Sequence, residues 1–368
     1  MDLHLIRHIF AKLALLKGCN INPPVFLVFS FIIIPPFSAH ANPPCWLSNL
    51  NIEHKQIYGV ASTISASNLP PLHFAKANAI NNWLLSEGQT EIKFDINLTT
   101  IEKYDLGGEN LYFLADYQQK NKVYSLVSTN PNASNTSQAC AITSCNIQQC
   151  SPSWICEDHS EQVSFISVAA PTIFANNQIK KIIDNSQSIA NTINRAKVVG
   201  VIDLLHSDTS HLTISNIQQR YSITDLSQQT NTITIGEMCT DKGTLYSQVT
   251  LNTPNISAFH NWMDQPLLGN ILGVVGYAKG QTSTGRLSDL LNVAVRRGLF
   301  EMAKTKNINV ENDLKLTSNT DGYYSLMSKS HQYTESIVSA YIADMKMKIN
   351  DKLQPEIFIW LLENKDKS

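Results

Sequence analysis

Charge is scarce in this chain: Lys, Arg, Asp and Glu make up 16% of its 368 residues and nearly cancel, leaving a net −2. Nucleic acid and anionic membrane surfaces are thereby disfavoured as partners, since both reward a concentrated basic field. After residue 41 there is no run approaching the roughly 18 apolar residues that a membrane-spanning helix needs. The Gly-x-Ser-x-Gly elbow, the His-Glu-x-x-His helix and the dinucleotide glycine fingerprint are all missing, so the hydrolase, metalloprotease and oxidoreductase chemistries they carry are not indicated. A lipobox is missing as well. Leu15-Leu16-Lys17-Gly18-Cys19 stands before the apolar run rather than after it, and Cys45 follows Asn42-Pro43-Pro44. No lipid anchor, cofactor or small-molecule substrate is therefore expected.

The first 41 residues differ from the rest. Arg7, Lys12 and Lys17 precede the ten-residue apolar run 25–34, and Ala39-His40-Ala41 then supplies an Ala-x-Ala cleavage pattern. This reads as a secretory signal peptide cut after Ala41, which sends the chain to the periplasm; left uncut, it would hold the chain at the inner membrane. Beyond it, Asn, Ser, Thr and Gln fill the polar positions, six cysteines remain and the net charge is −4. In an exported chain an even count points to disulfides among Cys45, Cys140, Cys145, Cys150, Cys156 and Cys239.

A spacing recurs through the remainder. Trp46 and Trp154 are 108 residues apart, as are Val60-Ala61 and Val168-Ala169, and Asp95 and Asp203. A looser third copy starts at Trp262 and runs through Gly276-Tyr277-Ala278, with Leu72, Ala79 and Leu84 matched by Leu287, Ala294 and Leu299. Each copy opens with a short buried strand (57–61, 165–170, 271–277) and continues into a helix with 3.6-residue apolar periodicity (72–87, 178–196, 286–305). Strands follow, at 91–100, 198–205, 310–318 and 323–333, and a closing strand ends each copy. Gly59, Ser167 and Gly276 are small where helix and strand cross, as are Ala75, Ala79 and Ala294 on the helices, which predicts close backbone approach. The fold class is α+β: three tandem β-α-β-β modules, each a helix on one face of a small antiparallel sheet. The organisation is signal peptide 1–41, module 42–131, cysteine-containing linker 132–153, module 154–256 and module 257–368.

The Trp near each start, the Gly-x-Ala strand end, the Ala-rich helix and the closing Tyr124-Ser125-Leu126-Val127 or Phe358-Ile359-Trp360-Leu361-Leu362 strand together resemble the Lpp-twenty family of bacterial envelope lipoproteins and the related flagellar basal-disk lipoprotein. The resemblance spans the mature chain as three degenerate copies. It implies small α+β modules that assemble in the cell envelope, by self-association or by docking to another envelope protein, with a flagellar connection possible. No catalytic residue comes with it, and this chain departs from the family in having no lipobox cysteine.

Four stretches invite chemistry. Cys140-x4-Cys145-x4-Cys150-x5-Cys156 with His159 nearly fits zinc spacing, but an oxidising compartment favours disulfides, with Cys45 and Cys239 as plausible distant partners. His206, Asp208 and His211 are compact enough for a metal loop, yet read better as a surface turn. These two clusters carry the alternative reading, a metal-dependent binder or enzyme. Gly280-x4-Gly285 has phosphate-loop glycine spacing, but Arg286 and Leu287 stand where Lys and Ser/Thr are needed. Arg286, Arg296 and Arg297, with Lys304 and Lys306, give the third helix a basic side that offers a contact surface.

Overall fold

The computed structural model describes residues 43–64, 67–133, 140, 144–156, 162–174, 176–227, 231–254, 261–280, 286–318 and 324–365. The signal segment with Ala41, His159, the loop 281–285 and the Arg286 side chain lie outside the described residues. Among the described residues the elements run β1 (Ile57–Ser62), α1 (Pro71–Ser86), β2 (Lys103–Asp105), β3 (Asn110–Gln119), β4 (Lys122–Ser128), β5 (Gln162–Ala169), α2 (Asn176–Asn194), β6 (Ala196–Thr209), β7 (Thr213–Asp225), β8 (Ile233–Asp241), β9 (Thr244–Pro254), β10 (Gly273–Lys279), α3 (Arg286–Lys306), β11 (Asn309–Ser318), β12 (Tyr324–Val338), β13 (Ala340–Ile349) and β14 (Pro355–Glu363). The protein is α+β and strand-rich, with every strand pair antiparallel.

The helices form where the apolar periodicity lies. Pro71 occupies the first turn of α1, where a missing N–H costs nothing, and Gly88 at φ +76° ends it with its N–H on the Leu85 carbonyl. On α2 the buried residues Ile179, Ile182, Ile183, Ser186, Ile189, Ala190 and Ile193 form one stripe. That stripe, with Ile80 and Trp83 of α1 and Leu299 and Phe300 of α3, joins one continuous core shared by all three helices. From Asn42 onward the chain is one compact unit.

Three of the four sheets share a pairing pattern, in the orders β1-β4-β3-β2, β5-β9-β8 and β10-β14-β13. In each, the strand before the helix pairs with the last strand of its segment. Val60 faces Tyr124, Val168 faces Tyr246 and Tyr277 faces Phe358; one residue on, Ala61, Ala169 and Ala278 face Val123, Leu245 and Ile357. The register shifts also coincide, falling just after Phe113, Ile235 and Ile342 opposite Val127, Val249 and Leu361.

Close packing of helix on strand is visible at the small residues. A Cβ on Gly59 would overlap the Ala75 carbonyl oxygen and the Ala79 nitrogen, and one on Gly276 would overlap the Ala294 carbonyl oxygen. At the matching position Ser167 donates its hydroxyl to the Ile182 carbonyl at 3.1 Å. The outer edge of each first strand is capped by its own helix: the carbonyls of Val60, Val168 and Tyr277 accept from Asn78 (2.7 Å), Asn185 (3.3 Å) and Arg297 (2.9 Å). Trp46 and Trp262 are buried and Trp154 is half-buried.

Two expectations fail. Residues 91–100 form no strand. Their backbone groups bond to α1 side chains instead: Asn81 both accepts from Ile92 N–H and donates to its carbonyl, His73 Nδ1 accepts from Leu98 N–H, and Lys76 donates to the carbonyls of Thr99 and Ile101. Asp95 is thus on a loop while Asp203, its match by spacing, is on β6. Nor is each sheet self-contained, because β6, β7, β11 and β12 leave their neighbours to build a fourth sheet together.

Trp262 donates its indole N–H to Asp344 Oδ2 at 2.6 Å and stacks on Trp360 at 6.0 Å between centroids. Asp344 is buried and also accepts from Met345 N–H. Asp344→Ala strands both donors and is expected to cost about 2 kcal/mol, read as a shift in the denaturant midpoint at unchanged slope.

Candidate functional site

Three disulfides tie together residues 45–239: Cys45–Cys140, Cys145–Cys239 and Cys150–Cys156, with Cα–Cα distances of 4.8, 5.4 and 5.4 Å. They indicate an oxidising environment. The first two connect the cysteine-containing linker to the segment before β1 and to β8, and the backbone follows: Cys145 N–H bonds to the Thr240 carbonyl, and Met238 N–H to the Ser48 carbonyl. The outer edge of β8 is covered in this way. With Cys140, Cys145, Cys150 and Cys156 all oxidised, the thiolates that a zinc site at Cys140–His159 needs are consumed.

The His206–His211 group sits at the β6–β7 hairpin. His206 Nδ1 lies 2.8 Å from Ser215 Oγ, and Asp208 accepts from Thr213 Oγ1 at 2.6 Å. Among the described residues no group of three or more His, Cys, Asp and Glu is placed to hold a metal ion. The basic side of α3 is largely engaged: Lys304 pairs with Glu301, Lys306 with Glu363, and Arg297 caps β10, while Arg296 is half-buried. A cleft of 330 Å³ between α2 and β13 is lined by Asn194, Asn231, Thr232, Tyr341 and Asn364 among others, with no carboxylate, imidazole or thiol. Nothing in it arranges an acid beside a base.

The surface with the most unusual construction is the fourth sheet, in the order β11-β12-β6-β7. Its central ladder joins distant segments, running from Ser325↔Thr209 to Val338↔Ala196. At one end it is anchored in the core: Gly200 lets the Phe300 ring against the sheet, and Tyr221 stacks on Phe300 at 4.8 Å. The far end is uncovered. Every residue of β11 is exposed, as is most of β7. Leu314, Leu316 and Ile217 are each 68% exposed, far above what apolar strand residues show when a layer covers them.

The two faces differ. Residues opposite one another across the ladders share a face, which places Leu316, Leu326, Leu314, Leu204 and Ile217 with Ser328, Ser330 and Ser215 on one side. The other side carries Glu311, Asp313, Lys315, Lys329, His331, Asp203 and Arg220 together with Met327, Leu205 and Ile214, while His206 and Asp208 stand on the leucine side. Across the β12–β6 junction Asp203 accepts from His331 Nδ1 at 2.7 Å and Lys197 pairs with Glu335 at 2.6 Å, while across the β6–β7 ladder Asp203 also accepts from Arg220 at 3.0 Å. The His331 hydrogen bond, then that of Arg220, holds the Asp203 carboxyl below its ordinary range. The Lys197 bond, then Tyr333, does the same for Glu335.

Both carboxyls being depressed, what they contribute is present above the ordinary carboxylate range and lost as pH falls through their folded values. Amide protection in β6 and β12 is therefore expected to fall selectively on acidification, while β1 and β4 keep theirs; hydrogen exchange across an acid pH series reads this.

Sequence reasoning did not single out β7, and its alternation of Thr, Ile and Tyr with polar residues was the signal that could have found it. Comparison with family models, curated proteins and solved structures returned no match.

Proposed function

We propose that this is a non-catalytic, exported protein of the periplasm, built from three copies of one strand–helix–strands module and acting in cell-envelope assembly through protein–protein contact. The triplication is supported by the common pairing register of Val60, Val168 and Tyr277, by the shared position of the three register shifts, and by the helix side chain that caps the same carbonyl each time. The resemblance of the sequence to Lpp-twenty modules points the same way, toward assembly rather than turnover. Export is supported by the three disulfides and by the basic-then-apolar segment ending at Ala41.

The observation that carries the reading is the uncovered sheet. Exposed apolar side chains on strands with free backbone groups attract another surface, and natural sheets ordinarily suppress this. A photo-crosslinking residue at Leu314 or Ile217 in cells is expected to yield covalent adducts with protein, whereas one at Lys122, at the β3–β4 turn, yields none. A protein that stays monomeric and forms no adduct at either position in the fractionated envelope overturns the proposal.

A further inference from the structure

The fourth sheet is made of two hairpins, β11–β12 and β6–β7, laid side by side. Where they meet, the second strand of one hairpin pairs with the first strand of the other, over an unbroken ladder from Ser325 to Val338. The strands left at the outside are again a first strand, β11, and a second strand, β7. Among the described residues neither has a neighbour on its outer side.

We propose that β7 of one copy pairs with β11 of the next copy of this chain, antiparallel, so that the four-stranded sheet continues head-to-tail from chain to chain. The proposal deepens the assembly reading and rests on it, naming a second copy as the partner and two strands as the contact.

Direction permits it, because strands alternate along β11-β12-β6-β7 and a following β11 runs opposite to β7. The contact is of the same kind as the one already made inside the chain, second strand against first. Lengths match, at 13 residues for β7 and 10 for β11. Charge matches too. On one face β7 presents Arg220, whose side chain is 73% exposed, while β11 presents Glu311 and Asp313 on that same face. Arg220 comes level with Glu311 when the incoming strand is staggered by two residues from the row Asn309-Tyr333-Val201-Arg220. The in-chain junction is likewise braced by acid–base pairs, Asp203–His331 and Glu335–Lys197.

Two of the usual guards, proline and bulges, are missing from these edges. Neither β7 nor β11 contains proline, and the three ladders of this sheet run without a bulge, whereas each of the other three sheets carries a register shift. Elsewhere the edges of β1, β5, β8 and β10 are capped by side chains or by passing backbone. A contact of this type uses two different surfaces on each chain, so it propagates into a ring or a filament rather than stopping at a dimer.

The test is to block one edge at a time in the disulfide-bonded chain. Proline replaces Gln218 or Gln219 on β7, and Asp313 or Leu314 on β11; alternate N–H groups of an edge strand point outward, so one of each neighbouring pair loses only an outward donor. Wild type is expected to form species larger than dimers in sedimentation. Each folded single-edge variant is expected to be monomeric, and an equimolar mixture of a β7-blocked and a β11-blocked chain to give dimers and nothing larger. Dimers of one single-edge variant with itself overturn the head-to-tail pairing. Association unchanged by blocking either edge overturns it too, while leaving the assembly reading intact; a wild type that is monomeric and without crosslinks overturns both. Should every proline variant at one edge lose its circular dichroism signature, Arg220→Glu and Glu311→Arg replace them: each alone weakens association, and mixing the two restores both contacts between unlike chains, giving assemblies in which the variants alternate. Failure of that mixture to associate again overturns the proposal.

Discussion

Gly276→Ala is expected to destabilise the protein by on the order of 3 kcal/mol, a fall of about 5 °C in Tm, and Gly276→Val by more. The added Cβ would overlap the Ala294 carbonyl oxygen at 2.0 Å and stand 2.9 Å from Ile359 Cγ2. A backbone oxygen in the middle of α3 cannot swing aside; the helix must lift from the sheet, and every buried contact along Leu291, Ala294, Val295 and Gly298 loosens with it. A Cβ on Gly236 would also be crowded, at 2.9 Å, but by the Cδ1 methyl of Ile52, which can change rotamer. Gly236→Ala should therefore cost less than about 1 kcal/mol. Equal losses at Gly236 and Gly276 in thermal or denaturant unfolding would mean that helix and strand are not held at backbone contact.

Removing the Cys145–Cys239 disulfide as Cys145→Ala/Cys239→Ala should cost about 4 kcal/mol, and Cys45→Ala/Cys140→Ala a similar amount. These bonds close chain segments with sequence separations of 94 and 95, and the entropy they remove from the unfolded chain grows with the logarithm of that length. Cys150–Cys156, with a separation of 6, should contribute about 2 kcal/mol on the same basis. Cys239 has the further effect of tying β8 to the linker that also runs to the segment before β1, so its loss exposes the β8 edge that Ser48 and Cys145 cover. Denaturant unfolding of the three double variants gives the order. A Cys150→Ala/Cys156→Ala protein less stable than the other two would contradict it.

What could be read from residues alone follows from how local each determinant is. The stripe from Ile179 to Ile193 announces α2, and the small residues Gly59 and Gly276 announce where helices press on strands, because both signals lie within a few residues of their effect. Cysteine number pointed to disulfides, but pairing depends on which segments meet in space, and 15 connectivities were open. The stretch 91–100 shows the limit of periodicity. Ile92, Phe94, Ile96 and Leu98 alternate as a strand does, yet its backbone partners are the side chains of His73, Lys76 and Asn81 on a helix some ten to thirty residues earlier, and no local pattern encodes that. The fourth sheet was hidden for a similar reason. The β6–β12 ladder joins residues more than a hundred positions apart, and the alternation of β11 promises a covered face that Leu314 and Leu316 do not have within one chain.

That uncovered face is where the account is most exposed to experiment, and hydrogen exchange resolved to single strands addresses it directly. In protein extracted from the envelope as an assembly, amides of Thr213–Asp225 and Asn309–Ser318 should gain protection relative to the dissociated chain, while β1, β5 and β10, already capped, should stay as they are. If β7 and β11 exchange equally fast in both forms, or if the protection appears on α3 instead, the sheet edges are not where this protein meets its partner.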